Sequence, residues 1–146
     1  FEYLCDGADT ILYDIKIIDR EEHRRILGIT NDIILYNLKN LIQRGRTVFV
    51  RIPIIPGYTD SKRNIRAIAR FLLTLSGRKE TRRSSVGGEG HIQRVDLIAY
   101  HRLGASKYRS LGQIYTLSEK IPPDQKQMES LMDIVSEFGF SVQIGG

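Results

Sequence analysis

A chain of 146 residues, 41% apolar and 27% charged, has the material for one soluble domain with a sizeable core. It carries no apolar stretch near the ~18 residues of a membrane span and no basic-then-apolar leader pattern after Phe1. Its single cysteine, Cys5, excludes an internal disulfide and any metal site built from this chain's cysteines alone, so a reducing, cytoplasmic setting is expected. The net charge of +5 raises nucleic acid as a partner. Much of that excess sits in Arg78, Lys79, Arg82 and Arg83, within a glycine- and serine-rich stretch that lacks aromatics. A nucleic-acid surface normally interleaves basic groups with stacking rings or a recognition helix. The stretch therefore reads as a solvated loop, with contact to an acidic partner or RNA as the weaker alternative.

In chain order, Phe1–Cys5 reads as the tail of a helix ending near Gly7. Thr10–Ile15 is a β-rich buried run. Asn31–Arg44 carries Ile34, Leu35, Leu38, Leu41 and Ile42 on one helical face, with Thr30 or Asn31 as N-cap and Gly45 as a stop. Thr47–Ile52 is the second strand, followed by the stiff turn sequence Pro53–Gly57. A helix from about Ser61 to Leu75 turns Ile65, Ile68, Ala69 and Leu72 inward and ends at Gly77. Val95–Ala99 is the third strand, beyond a basic loop at 77–92. Asp124 caps a helix bearing Met128, Leu131, Met132, Val135 and Phe138, and Gly139 closes it before a short strand at Ser141–Ile144. Strands alternating with helices of this length predict βαβ units and a mostly parallel sheet. Four strands are too few for a closed barrel, so the chain reads as the C-terminal portion of a larger α/β barrel-like enzyme. A sheet divided in this way would expose an edge and an apolar face, a liability unless something covers them.

Three strand-like runs end in chemistry-bearing residues. Asp14 and Lys16 lie two apart and share a face; Arg51 closes the second run and His101 follows the third. In βα barrels the C-terminal strand ends open on one face, which holds the active site. A carboxylate, an ammonium, a guanidinium and an imidazole gathered there suit a zwitterionic ligand. Each also has a plain structural reading. Asp14 and Lys16 can form a surface ion pair, Arg51 can pair with a carboxylate, and His101 can be an ordinary half-buried imidazole. His23 and His91, in a polar amphipathic stretch and in the basic loop, carry no functional expectation.

The segments Tyr-Asp-Ile-Lys (13–16), Val-Arg-Ile-Pro-Ile-Ile-Pro-Gly (50–57), Ala-Tyr-His-Arg-Leu-Gly (99–104) and Gly-Phe-Ser-Val-Gln-Ile-Gly-Gly (139–146) resemble the C-terminal half of glycyl-radical enzyme activating enzymes. These are radical S-adenosylmethionine enzymes, of which pyruvate formate-lyase activating enzyme is the best-known type. The resemblance runs from about residue 9 to the end, interrupted by the basic loop. It implies the C-terminal part of a partial (β/α)6, TIM-like barrel spanning 1–146. It also implies S-adenosylmethionine as cofactor, together with a [4Fe-4S] cluster held in the parent protein by a Cys-x3-Cys-x2-Cys loop. The reaction it implies cleaves the cofactor and installs a radical on a backbone glycine of a partner glycyl-radical enzyme. An electron donor such as flavodoxin or ferredoxin, and no membrane or nucleic acid, complete the expected set of partners. By the same resemblance Asp14 and Lys16 match the pair at the methionine end of the cofactor, Asp14 with a further role towards a cation. Arg51 and Pro53 match the segment beside the cofactor, and His101 the histidine on its ribose and adenosine side.

The sequence departs from the family in lacking the three-cysteine motif and the strand that would carry a Gly-Gly-Glu segment for the cofactor amino group; Cys5 matches neither. The chain is therefore expected to supply cofactor-binding residues but no catalytic or metal-ligating ones, and to be a fragment of a longer enzyme rather than a truncated reading frame. Two readings from other classes stand beside this one. One is a barrel lyase or aldolase with Lys16 as Schiff-base residue and Arg51 on a phosphate. The other is a non-catalytic remnant that binds a partner through the basic loop.

Overall fold

The computed structural model describes residues 8, 10–77, 91–101, 110–112, 117 and 119–145. Among these the elements run β1 (Ile11–Asp14), α1 (Arg20–Leu27), α2 (Asp32–Gln43), β2 (Thr47–Ile54), α3 (Lys62–Leu75), β3 (His91–Ala99), α4 (Gln125–Ser136) and β4 (Val142–Ile144). The four strands form one sheet in the order β1-β2-β3-β4, every pair parallel. Sequential order without a switch point is how strands follow one another in a barrel wall, whereas doubly wound sheets reverse. The architecture is α/β with a partial, TIM-like barrel sheet, as the alternation of elements predicts.

Strict alternation in β2 separates the two faces of the sheet. Val48, Val50, Ile52 and Ile54 are fully buried, while Thr47, Phe49, Arg51 and Pro53 are half-buried. The buried set packs with Leu38, Leu41 and Ile42 of α2, Ile65, Ile68 and Leu72 of α3, and Met128, Leu131, Ile134 and Val135 of α4. Among the described residues helices therefore cover one face only, as right-handed crossovers between neighbouring parallel strands require. No described helix covers the other face, where Leu12 stays 55% exposed although it lies within a strand. It is a mixed apolar and ionic surface rather than a purely apolar one.

Local signals account for most boundaries. The side chains of Ser61 and Asp124 accept the backbone N–H three residues on and open α3 and α4. β2 continues through Pro53 and Ile54, two residues beyond the expected end at Ile52. The proline is tolerated because its backbone faces the side of β1, and that pairing has ended at Asp14 opposite Arg51. β3 starts at His91 instead of Val95, so 91 and 92 belong to the strand and not to the basic loop. The stretch 78–90, Phe1–Cys5 and 102–104 lie outside the described residues.

α1 is a helix that apolar periodicity does not reveal, since Arg-Glu-Glu-His-Arg-Arg-Ile-Leu is almost wholly polar. It is held by the Asp19 cap, by ion pairs Glu21–Arg24 at 2.7 Å and Glu22–Arg25 at 3.7 Å, and by Gly28 in the left-handed region at φ 81°. His23 is buried inside it, with Nδ1 donating to the Ile29 carbonyl at 2.7 Å, a structural role.

Candidate ligand site on the open sheet face

Strand register assembles the site. Asp14 of β1 lies opposite Arg51 of β2, Arg51 opposite Asp96 of β3, and Asp96 opposite Gln143 of β4. Because side chains alternate, this polar row crosses the sheet on the open face while its strand neighbours point into the core. One step towards the strand starts, Leu12, Phe49 and Arg94 make an adjoining row.

Arg51 is committed to Asp14, with Nε and Nη2 reaching Asp14 Oδ1 at 2.8 and 2.7 Å. Lys16 Nζ lies 3.8 Å from Asp14 Oδ2, an ionic contact too long for a hydrogen bond. One Asp14 oxygen is therefore taken by the guanidinium, and the other retains accepting capacity towards solvent. The Lys16 ammonium makes no hydrogen bond within the described residues. An acceptor for a cationic ligand group and a cation for an anionic one thus stand side by side.

Lys16 lies past the end of β1, and its position depends on its neighbours. Ile15 and Ile17 are both buried, pegging the backbone so that Asp14 and Lys16 share the outer side. Two buried asparagines then clasp the segment. Asn64, at the start of α3, accepts from Ile18 N at 3.0 Å and donates to the carbonyls of Lys16 at 2.8 Å and Thr59 at 3.0 Å. Asn31 donates to the carbonyls of Ile17 and Ile18 at 3.1 and 2.7 Å. Of the two N-cap candidates, Thr30 and Asn31, Asn31 holds the N-cap position of α2, but its side chain makes no capping bond because this clasp uses it. Asn64 escapes sequence reasoning, since a polar residue in the first turn of a helix reads as solvent-facing.

The loop after β2 is equally fixed. Ile55-Pro56-Gly57-Tyr58 closes a turn, with Tyr58 N donating to the Ile55 carbonyl at 3.0 Å and Gly57 at φ 77°, which suits a type II turn. The buried Thr59 hydroxyl donates to the Pro53 carbonyl at 2.5 Å and accepts from Ile55 N at 2.8 Å. The Lys120 ammonium sits 4.9 Å above the Tyr58 ring and ties this loop to the segment before α4.

His101 stands apart from the ionic cluster. Tyr100, its neighbour, still donates its backbone N–H to the Ile54 carbonyl at 3.0 Å, so His101 lies about 16 Å beyond the Asp96 row at strand rise. It is exposed rather than half-buried, and it makes no hydrogen bond among the described residues. The structure thus joins Asp14, Lys16 and Arg51, sets Pro53 next along the same face, and leaves His101 at the rim.

Arg94 and Asp96 were not singled out in the sequence, although spacing of two within a strand was the available signal. Asp96 is buried to 1% exposure, and its oxygens accept from Arg94 Nε at 2.5 Å and Nη2 at 3.2 Å. The Asp96 carboxylate raises the Arg94 guanidinium above its ordinary value, mainly through these hydrogen bonds. Arg94 also lies 5.1 Å over the Phe49 ring. A cleft of about 350 Å³ lined by Asp60, Lys62, Asp124 and Gln127 opens elsewhere, between the N-terminal ends of α3 and α4, and includes none of these groups. Among the described residues there is no group of three His, Cys, Asp or Glu able to hold a metal ion, and no helix long and apolar enough to cross a membrane.

No protein-family model matches the chain. Its sequence is 40% identical over 139 residues to indoleacetate decarboxylase activating enzyme of Tractidigestivibacter scatoligenes, covering 94% of this chain and 39% of that protein. It is 33% identical over 148 residues to 4-hydroxyphenylacetate decarboxylase activating enzyme of Clostridioides difficile strain 630, covering 99% of this chain and 42% of that one. In structure it matches a domain of pyruvate-formate lyase-activating enzyme from Bacteroides vulgatus ATCC 8482 with a TM-score of 0.73, at 21% identity, over 99% of this chain and 72% of the other. The chain spans about two fifths of the length of the curated relatives it matches. The homologues of this chain are glycyl-radical enzyme activating enzymes of the pyruvate formate-lyase activase kind.

Proposed function

We propose that this chain is the C-terminal part of a radical S-adenosylmethionine barrel domain and that it binds S-adenosylmethionine on the open sheet face. The observation that carries the reading is the Asp14, Lys16 and Arg51 cluster, which presents an unsaturated carboxylate oxygen beside a cation that makes no hydrogen bond among the described residues. That donor set fits the amino-acid end of the ligand. Asp14 Oδ2 accepts the ammonium, Lys16 neutralises the carboxylate, and Arg51 holds the Asp14 carboxylate in place. Pro53, one step on, offers a rigid apolar ring to the nucleoside, and His101 at the rim contacts the ribose or adenine edge. The ligands of a [4Fe-4S] cluster would come from outside the described residues.

When bound beside such a cluster, S-adenosylmethionine supplies hydrogen-atom abstraction from a backbone glycine of the partner, a glycyl-radical enzyme. A flavodoxin- or ferredoxin-type donor supplies the electron. This chain's own residues bind and orient the cofactor. The homology to activating enzymes supports that role, and the stretch matched leaves room for the cluster-bearing portion elsewhere in a longer protein.

The test joins this chain to a cluster-bearing N-terminal half with the Cys-x3-Cys-x2-Cys motif. It measures S-adenosylmethionine binding by equilibrium dialysis and the partner's glycyl radical by electron paramagnetic resonance. Asp14→Asn and Lys16→Ala should each weaken cofactor binding about tenfold, the worth of one charge-assisted contact. Full radical yield from the Asp14→Asn, Lys16→Ala and His101→Ala variants would overturn the assignment.

A further inference from the structure

The arrangement of charges around Arg51 poses a choice that the described contacts resolve. Arg51 is flanked in register by two carboxylates on the same face, Asp14 on one neighbouring strand and Asp96 on the other. Adjacent strands lie about 4.8 Å apart, so a guanidinium in the middle strand reaches either side. Asp96, at 1% exposure, is far more desolvated than Asp14, whose side chain is 34% exposed. A buried, unpaired carboxylate attracts a cation more strongly than a half-solvated one and is costly to leave alone. Yet Arg51 binds Asp14.

The reason lies two residues before Asp96. Arg94 shares its strand and its face, and its fork occupies both Asp96 oxygens. The guanidinium lies over Phe49, the register partner of Arg94 on β2, a contact that favours this placement. With both oxygens engaged and its charge matched by Arg94, Asp96 competes for Arg51 less than an unpaired carboxylate would.

The geometry points to Arg94 as the positioning residue that aims Arg51 at Asp14, by pairing with and neutralising the competing carboxylate of Asp96. The consequence for ligand recognition rests on the proposed S-adenosylmethionine site; the aiming itself does not. Without Arg94, Arg51 crosses to Asp96 and Asp14 loses its brace beside Lys16. A lysine at 94 would fill one oxygen only, having neither the fork nor the planar group that stacks on Phe49.

The experiment reads the Arg51 Nε–Hε resonance of the ligand-free chain by ¹⁵N NMR, assigned by its loss in Arg51→Lys. In the native chain Asp14→Asn should shift this resonance. In Arg94→Gln the shift on adding Asp14→Asn should vanish, because Arg51 then faces Asp96. Adding Asp96→Asn to Arg94→Gln removes the competitor and should restore the sensitivity. This rescue is something a merely structural role for Arg94 would not produce. If Arg94→Gln does not fold, Arg94→Lys and the Arg94→Gln/Asp96→Asn double variant, which leaves no buried charge unpaired, decide the matter. An Arg51 resonance still governed by Asp14 in a folded Arg94→Gln or Arg94→Lys chain overturns the proposal. Measured in the same variants joined to the cluster-bearing half, S-adenosylmethionine affinity should fall about tenfold in Arg94→Gln and recover in the double variant. Absence of binding in every form, native included, would sink the proposed function while leaving the Arg51 result to stand or fall alone.

Discussion

Asn64→Ala tests whether the segment carrying Lys16 is held by the clasp. The Asn64 side chain is 5% exposed and makes three hydrogen bonds to backbone groups of two different loops, at 3.0, 2.8 and 3.0 Å. At about 1 kcal/mol net for each bond, truncation should cost about 3 kcal/mol, more where no water enters to satisfy the stranded Ile18 N–H. That is a large share of the roughly 5–15 kcal/mol by which a domain of this kind is stable. With a urea slope of about 1–3 kcal/mol per molar, the midpoint should drop by at least about 1 M. Unfolding followed by circular dichroism measures the global term, and hydrogen exchange at the Ile18 amide measures the local one. Asn64→Asp is the discriminating control. It keeps an acceptor for Ile18 N but sets a carboxylate against the Lys16 and Thr59 carbonyls, so at neutral pH it should be no better than alanine. A loss below about 0.5 kcal/mol with unchanged Ile18 exchange would refute the clasp, since that is the size of an ordinary surface change.

Gly57→Ala should destabilise by about 1 kcal/mol in the same urea assay, because a Cβ at φ 77° is strained and would come within 3.1 Å of Lys120 Nζ. Equal midpoints for the two chains would contradict this. Arg66→Ala breaks the exposed pair with Glu137 at 3.2 Å and should change stability by less than about 1 kcal/mol, an effect that fades in high salt. A larger, salt-independent loss would show that the residue does something else. Asp32 sits in the first turn of α2, where the Thr30 hydroxyl, and then Arg20, hold its carboxyl below the usual carboxylate range. The fold thus favours its ionised form, so its contribution is present above the ordinary carboxylate value and is lost as pH falls through the lowered one. Asp32→Asn should flatten only that acid limb in a pH series of melting curves, and a change confined to neutral or basic pH would count against the assignment.

Much of the architecture is legible from pattern alone. The strand at Thr47–Ile52, the apolar stripe Ile65, Ile68, Ala69 and Leu72, and the Asp124 cap are local statements, and local geometry obeys them. Helix α1 escaped because it is stabilised by caps and charge pairs instead of an apolar stripe. Asp19 and Gly28 were nevertheless readable as its start and stop. The extension of β2 through Pro53 was hidden because a proline ends a strand only if its missing N–H is needed. Whether it is needed depends on where the neighbouring strand stops.

The same division runs through the candidate site. The sequence alone determined which charge types the open face carries, since Asp14 and Lys16 share a side by alternation and Arg51 lies on the exposed side of a strand whose other side is apolar. Only the tertiary structure decided who pairs with whom. Arg51 meets Asp14 because register sets residues 37 apart opposite one another. Asp96 pairs with Arg94 of its own strand instead, and Lys16 is placed by asparagines from α3 and from the turn before α2. Spacing along a chain fixes the direction of a side chain, whereas the energy of an ion pair depends on separation and desolvation, which exist only once the strands are side by side.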